Sequence, residues 1–239
     1  MRKDHRPYYL KRLWFNWLDF YARHFTAPHL DSLGENPFIV KPWHLILFGG
    51  PIHIGGNVTL LASAERKINL TVWSEKEDAD GIVIGDHVLI SPGVRILAAR
   101  SIRISDNCMI AGNVYISDAD WHGIYDRSSS PGRTSSILLE NNVWVGDSAI
   151  INKGVTIGEN SIIGAGSVVL GDIPPNVIAA GNPARVIKPL DREPFVTRKD
   201  RFDNMIEIKK LYNQYDRKQL KGNSTLGWLR HLLFPRPGD

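Results

Sequence analysis

Aliphatic residues recur at every sixth position from Leu139 to Val169: Leu139, Val145, Ile151, Ile157, Ile163 and Val169. Each is followed by small or turn-forming residues, as in Val145-Gly-Asp-Ser-Ala-Ile and Ile163-Gly-Ala-Gly-Ser-Val. An amphipathic helix buries every third or fourth residue and a half-buried strand every second. Neither needs a strict period of six. A chain that turns a corner every six residues does, and the array predicts a parallel β-helix. Three hexapeptides make one triangular coil of about 18 residues, and the coils stack as parallel strands about 4.8 Å apart. The first aliphatic position points into the prism. The small residue at the fifth, such as Ala149 or Ser167, fits inside as well. Gly, Asn and Asp accept tight corners with positive φ. That is the expected place of Asn141, Asn142, Asp147, Asn152, Gly154 and Asn160.

The same pattern divides the chain into three. Residues 51–188 carry the repeat. It opens at Ile54 and Leu60, and the charged segment Ala62 to Gly81 interrupts it. It resumes at Ile84, Ile90 and Ile96, slips by two residues, and continues through Ile104, Ile110 and Ile116. Residues Asp118 to Ser136 break it again. Residues 1–50 are predicted to form an N-terminal helical extension, in which Tyr8, Tyr9, Leu10, Leu13, Trp14, Trp17, Leu18, Phe20, Tyr21 and Phe25 crowd one segment and spacings of three and four recur. It either packs on the main body or lies aromatic side down on a membrane. Residues 189–239 are predicted to hold a helix from Arg198 to Lys221, ended by Gly222, and an apolar, basic tail. The tail caps the prism, reaches a neighbouring subunit or touches lipid.

Composition alters this picture little. The net charge of +4 over 239 residues comes without a nucleic-acid-binding motif, so no nucleic-acid partner is expected. Cys108 is the single cysteine, which excludes an internal disulfide and fits a reducing compartment. Its place in Ile104-Ser-Asp-Asn-Cys is the small inward position, so it is expected to pack rather than react. The charged start Met-Arg-Lys-Asp-His-Arg is no secretory leader, and no apolar run approaches the ~20 residues of a membrane span. A cytoplasmic chain is expected, with contact at most at the inner face of the membrane.

The chemistry is expected in the second break, Asp118-Ala-Asp-Trp-His-Gly-Ile-Tyr-Asp-Arg. A loop leaving a rigid stack can present side chains. A neutral imidazole at His122 can take a proton near pH 7. A carboxylate on its other nitrogen would fix the tautomer, and Asp118 and Asp120 are equally placed for that in sequence. Trp121 and Tyr125 either line an acceptor pocket or anchor the loop, and Arg127 joins them as a candidate acceptor contact.

Three further stretches carry a family resemblance: Val143-Trp-Val-Gly-Asp-Ser-Ala-Ile, Ile163-Gly-Ala-Gly-Ser-Val-Val with Asp172-Ile-Pro-Pro-Asn-Val, and Ala180-Gly-Asn-Pro-Ala-Arg-Val-Ile-Lys. Over residues 51–188 the chain resembles the hexapeptide-repeat acyltransferases, which include the galactoside, maltose and xenobiotic acetyltransferases. The resemblance implies a mainly β fold, a left-handed parallel β-helix, assembled as a homotrimer with active sites between adjacent prisms. It implies His122 as catalytic base and direct transfer from acetyl-CoA or another acyl-CoA, with no metal. It places the CoA groove at Asp147, Ala165, Gly166 and Leu170, with Arg185 and Lys188 near the nucleotide phosphates. The implied acceptor is a small molecule or glycan bearing a hydroxyl. One departure leaves its identity open: Gly93 falls where the sugar acetyltransferases carry an acceptor-holding asparagine. Two rival readings stand beside this one. The first is a trimeric prism without chemistry. The second is a zinc enzyme of the γ-carbonic-anhydrase kind, for which His87 stacked below His122 supplies two of three ligands.

Overall fold

The structure is a computed structural model that describes residues 4–74, 79–191, 193–202 and 205–236. The chain divides into two compact units, one of residues 21–203 and one pairing residues 1–20 with 204–239.

The larger unit is a three-sided stack of six coils. Coil 1 supplies strands Ser32–Leu33, Phe38–Val40 and Leu45–Phe48; coil 2, Ile52–Ile54, Thr59–Leu61 and Ile68–Val72. Coil 3 supplies Gly81–Ile84, Leu89–Ile90 and Arg95–Ala98; coil 4, Ser101–Ile104, Met109–Ile110 and Tyr115–Ser117. Coil 5 supplies Ile137–Leu139, Trp144–Val145 and Ile150–Ile151; coil 6, Thr156–Ile157, Ile162–Ile163 and Val168–Val169. The first, second and third strands of successive coils pair in parallel to make the three faces. The second face then gains Val177–Gly181, which turns back on itself as the antiparallel strand Ala184–Pro189.

Register explains why this sequence takes this shape. On the first face Ile54, Ile84, Ile104, Leu139 and Ile157 align; on the second, Leu60, Ile90, Ile110, Val145 and Ile163. On the third, Leu47, Leu70, Ile96, Ile116, Ile151 and Val169 align. Apart from Leu47 these are buried, in one continuous core. Burying each such side chain contributes about 1.5–3 kcal/mol before the entropy of ordering it. Backbone groups within the stack pair with the coils above and below.

The stack begins earlier than the six-residue period suggests. Coil 1 lies at residues 32–48, inside the segment expected to be a helical extension, where Pro37 and Pro42 hide the period. The charged segment 62–81 likewise contains strand Ile68–Val72, whose Ile68, Leu70 and Val72 are buried. Residues 75–78 of that segment lie outside the described residues.

The corner between first and second faces is held by a column of residues with φ between 53° and 64°: Asn36, Asn57, His87, Asn107, Asn142, Asn160 and Asn176. Asparagine tolerates this left-handed region better than most residues. The column also bonds along its length, Asn142 Nδ2 donating to Asn160 Oδ1 (2.9 Å) and Asn160 Nδ2 to Asn176 Oδ1 (2.8 Å). Arg198 closes over it, donating to the His87 carbonyl at 2.6 Å and to Thr59 Oγ1 at 3.1 Å. Burial pulls the pKa of this guanidinium below its ordinary value.

The smaller unit is helical. It comprises most of α1 (Tyr8–Tyr21), with α3 (Met205–Gln219) and α4 (Thr225–Leu233); a short α2 (Arg198–Phe202) belongs to the larger unit. The helix expected over 198–221 is seen in Arg198–Phe202 and Met205–Gln219, and residues 203–204 lie outside the described residues. Lys11 pairs with Asp216 at 2.7 Å, the Arg217 guanidinium lies 5.1 Å from the centre of the Tyr8 ring, and Asn223 donates to the carbonyls of Asp4 and Arg6. His5 stacks on His231 with centroids 4.2 Å apart. Ser224 caps α4, its Oγ accepting from Gly227 N–H at 3.1 Å. No helix among the described residues is long and apolar enough to cross a membrane.

Candidate active site

The break between coils 4 and 5 leaves the prism at the corner between third and first faces. It begins with Asp118, which is fully buried. Its Oδ1 accepts from Ala99 N–H at 2.7 Å, and its Oδ2 accepts from Arg100 and Ser101 N–H at 2.8 and 2.7 Å. One carboxylate thus satisfies three amides of the preceding coil's corner, the corner at which the six-residue period slips. Both of its oxygens accept from backbone N–H groups, which gives Asp118 a structural part at this corner.

The loop is then pinned on both sides. Ser135 N–H donates to the Asp118 carbonyl at 2.9 Å, Asp120 N–H to the Arg133 carbonyl at 3.0 Å, and Ala119 bridges Thr134 antiparallel. Lys153, from the same corner one coil on, pairs with Asp120 Oδ1 at 2.5 Å. Asp120 therefore ties the loop to coil 5. Trp121 adopts φ 65° and donates Nε1–H to Ser117 Oγ at 2.9 Å, so its indole anchors the loop.

His122 follows with an exposed side chain. Behind it Gly132 has φ 73°, and a Cβ there would run into the His122 carbonyl oxygen. Glycine at 132 lets the two limbs of the loop close directly behind the histidine. Tyr125, at the tip, is 98% exposed, and Arg127 is also exposed. The Asp126 carboxyl is held below its ordinary pKa by the Ser128 side chain and backbone N–H, which donate to it. A basic imidazole on a braced loop can accept a proton from a hydroxyl placed against it.

The remaining candidates fall into two further groups. Asp147, Ala165 and Gly166 stack at the corner between second and third faces, where Gly166 N–H donates to the Asp147 carbonyl at 2.8 Å. Ser148 donates to Asp147 Oδ2 at 2.7 Å. Ser148 and Gly166 have φ of 59° and 68°, and a Cβ built on Gly166 meets nothing within 4 Å. On coil 6 this corner is Gly164-Ala165-Gly166, with no side chain larger than a methyl, which suits a slim chain approaching the backbone. Leu170, 59% exposed, belongs instead to the loop's own corner, on coil 6. Arg185 and Lys188 are exposed on the last antiparallel strand, Arg185 opposite Ala180 and Lys188 opposite Ile178. The loop and the open corner thus edge the third face of one prism from its two sides.

Gly93 has φ 85° at the open-corner column, and its missing side chain makes room for Asn113 Oδ1 of the next coil. His87 and His122 do not stack. His87 is 5% exposed in the asparagine column, within 3.3 Å of Asn57 Nδ2, at a different edge of the prism. Cys108 is buried, donates Sγ–H to the Glu140 carbonyl at 3.1 Å, and has its pKa pushed up to about 12 by burial. It packs and is no nucleophile. Lys153, Ser117 and Gly132 were not legible as site residues, because each acts on the loop from a position that reads as ordinary corner or turn.

A family model described as "Bacterial transferase hexapeptide (six repeats)" matches residues 136–171, and one described as "Hexapeptide repeat of succinyl-transferase" matches residues 81–118. The chain is 37% identical over 162 residues to a galactoside O-acetyltransferase of Escherichia coli, covering 67% of this chain and 64% of that protein. It is 33% identical over 167 residues to the galactoside O-acetyltransferase of Lactococcus lactis, covering 70% and 67%. It thus spans about two thirds of the length of these relatives. In fold it is similar to AntD of Bacillus cereus, an N-acyltransferase solved with dTDP-4-amino-4,6-dideoxyglucose and coenzyme A. The TM-score is 0.56 at 19% identity, over 81% of this chain and 96% of that one.

Proposed function

Because the chain belongs to the hexapeptide-repeat acetyltransferases, which fold as left-handed parallel β-helices, we propose that it transfers an acetyl group from acetyl-CoA to a hydroxyl of a sugar or glycan, with His122 as general base. The observation that carries this reading is the loop itself. Asp118, the Asp120–Lys153 pair, the Trp121–Ser117 hydrogen bond and Gly132 brace a single exposed imidazole. Holding a base in place lowers the entropy lost on reaching the transition state.

Acetyl-CoA supplies the acyl group as an activated thioester. A ring nitrogen of His122 takes the acceptor's hydroxyl proton as its oxygen bonds to the thioester carbonyl carbon. The carbon–sulfur bond then breaks, and the imidazolium returns the proton to the departing sulfur. Atoms and charge balance without a covalent enzyme intermediate. The open corner at Ala165 and Gly166 fits the pantetheine arm with Asp147 beside it, Leu170 reaches it from the loop's corner of the neighbouring protomer, and Arg185 and Lys188 supply charge for the phosphates. Tyr125 and Arg127, exposed at the loop tip, face the acceptor.

The loop and the open corner lie on opposite edges of one face. A homotrimer of parallel prisms brings the loop of one protomer to the open corner of the next, so the site is completed between subunits. Galactoside acceptors are the first to test, given the relatives' names. The test is thiol release from acetyl-CoA with galactosides and related sugars, together with mass analysis of the product. O-acetylated sugar in equal amount to released CoA is expected. Thiol release without acetylated sugar, or none with any hydroxyl acceptor, contradicts the reading.

A further inference from the structure

The helical unit divides its surface in a way that the transfer chemistry does not use. The segments 1–20 and 204–239 carry twelve Lys and Arg against five Asp and Glu, a net +7, whereas residues 21–203 carry 17 against 20, a net −3. The small excess over the whole chain thus hides a strong separation of sign. The positive unit, much the smaller of the two, also carries a dense set of exposed large apolar side chains. On α1, Lys11 is mostly covered and Leu18 is buried, and they mark one side. Tyr9, Leu13, Trp17 and Phe20, at helical spacing on the other side, are 46–59% exposed. On α4, Leu226, Leu229 and Leu233 share a face at spacings of three and four and are 80%, 41% and 69% exposed, and Phe234 follows at 70%. Tyr9 Oη lies 2.6 Å from Thr225 Oγ1, so the start of the α1 stripe adjoins the start of α4.

We propose that this unit docks the chain on anionic lipid surfaces, with the α1 and α4 stripes entering the interface and the basic residues of the unit facing the headgroups. The composition matches that of helices lying in an interface: aromatic and leucine-rich on one side, basic around it. The sign of the charge selects the occupant. A second copy of the same unit would bring +7 against +7, which repels. An anionic bilayer attracts the positive unit more strongly the more basic residues lie near its surface. No helix among the described residues is long and apolar enough to cross a membrane, and the docking proposed is lateral. The proposal does not depend on the acceptor's identity.

The test is flotation of the full chain with two kinds of vesicle, phosphatidylcholine alone and phosphatidylcholine with about one third phosphatidylglycerol. Floating with the anionic vesicles only, and release at about 0.5 M salt, are expected. A Leu13→Ser, Leu226→Ser, Leu233→Ser variant, checked for unchanged helix content and unchanged thiol release with a soluble acceptor, should partition at least about tenfold less. Equal failure to float on both vesicles overturns the proposal, as does undiminished flotation of the variant. A drop in sedimenting mass of the variant, with no flotation of the native chain, also overturns it and assigns the stripes to contact between proteins.

Discussion

Asp118 is the most heavily committed residue of the loop, since one buried carboxylate holds the three amides of residues 99–101. Asp118→Ala strands those donors and should cost about 3–5 kcal/mol, read as a shifted urea midpoint. Asp118→Asn should recover little, because the side-chain NH2 turns one acceptor into a donor facing donors. A variant with native stability and a selective loss of turnover would instead favour a catalytic role. Cys108 tests the other buried group. With its thiol pushed up to about 12 by burial, it should resist a disulfide reagent at pH 8 until the protein unfolds. The sign follows from linkage: the folded state keeps the proton that the unfolded state releases, so this group favours folding less as pH rises from the unfolded thiol's range towards 12. Full turnover by Cys108→Ser would confirm that transfer needs no thiol. Rapid labelling of the folded chain would contradict the packing role.

At the scale of elements, the corner columns and the braced loop make separate predictions. Asn160 combines φ 62° with hydrogen bonds to both neighbours in its column. Asn160→Gly loses the bonds but keeps the backbone at ease, whereas Asn160→Ala also strains it. Alanine should therefore melt lower than glycine by about 1 kcal/mol equivalent, the reverse of their order in a helix. Lys153→Met should loosen the loop and lower kcat with little change in CoA affinity, and Lys153→Arg should restore much of it by keeping the ion pair with Asp120. Equal loss of CoA affinity would place Lys153 in the donor groove instead. The elements were legible in unequal measure. The ladder from Leu139 to Val169 reads directly, because each hexapeptide there keeps its aliphatic and small residues in step. Coil 1 and strand Ile68–Val72 do not, because prolines and the charges around Glu65 and Lys67 obscure apolar residues that register alone reveals. His122 stands out because its loop breaks the period. Its supports do not, since a salt bridge between residues 120 and 153 and a glycine packed behind the histidine are facts of three-dimensional proximity.

At the scale of the whole molecule, a rigid prism sets two groups of residues on opposite edges of one face, and function is assigned to their meeting across a subunit boundary. A sedimentation mass of three chains, about 80 kDa from the 26.8 kDa chain, is the expected assembly, and a stable monomer with full turnover would remove the shared site. The central claim is transfer of an acetyl group to a hydroxyl by the His122 loop. It is tested most directly by steady-state thiol release from acetyl-CoA with a galactoside acceptor, comparing the native chain with His122→Ala at equal CoA affinity. The account predicts a fall in kcat/KM of about 10²–10⁴ for the variant, with unchanged melting. Native turnover by His122→Ala would contradict it.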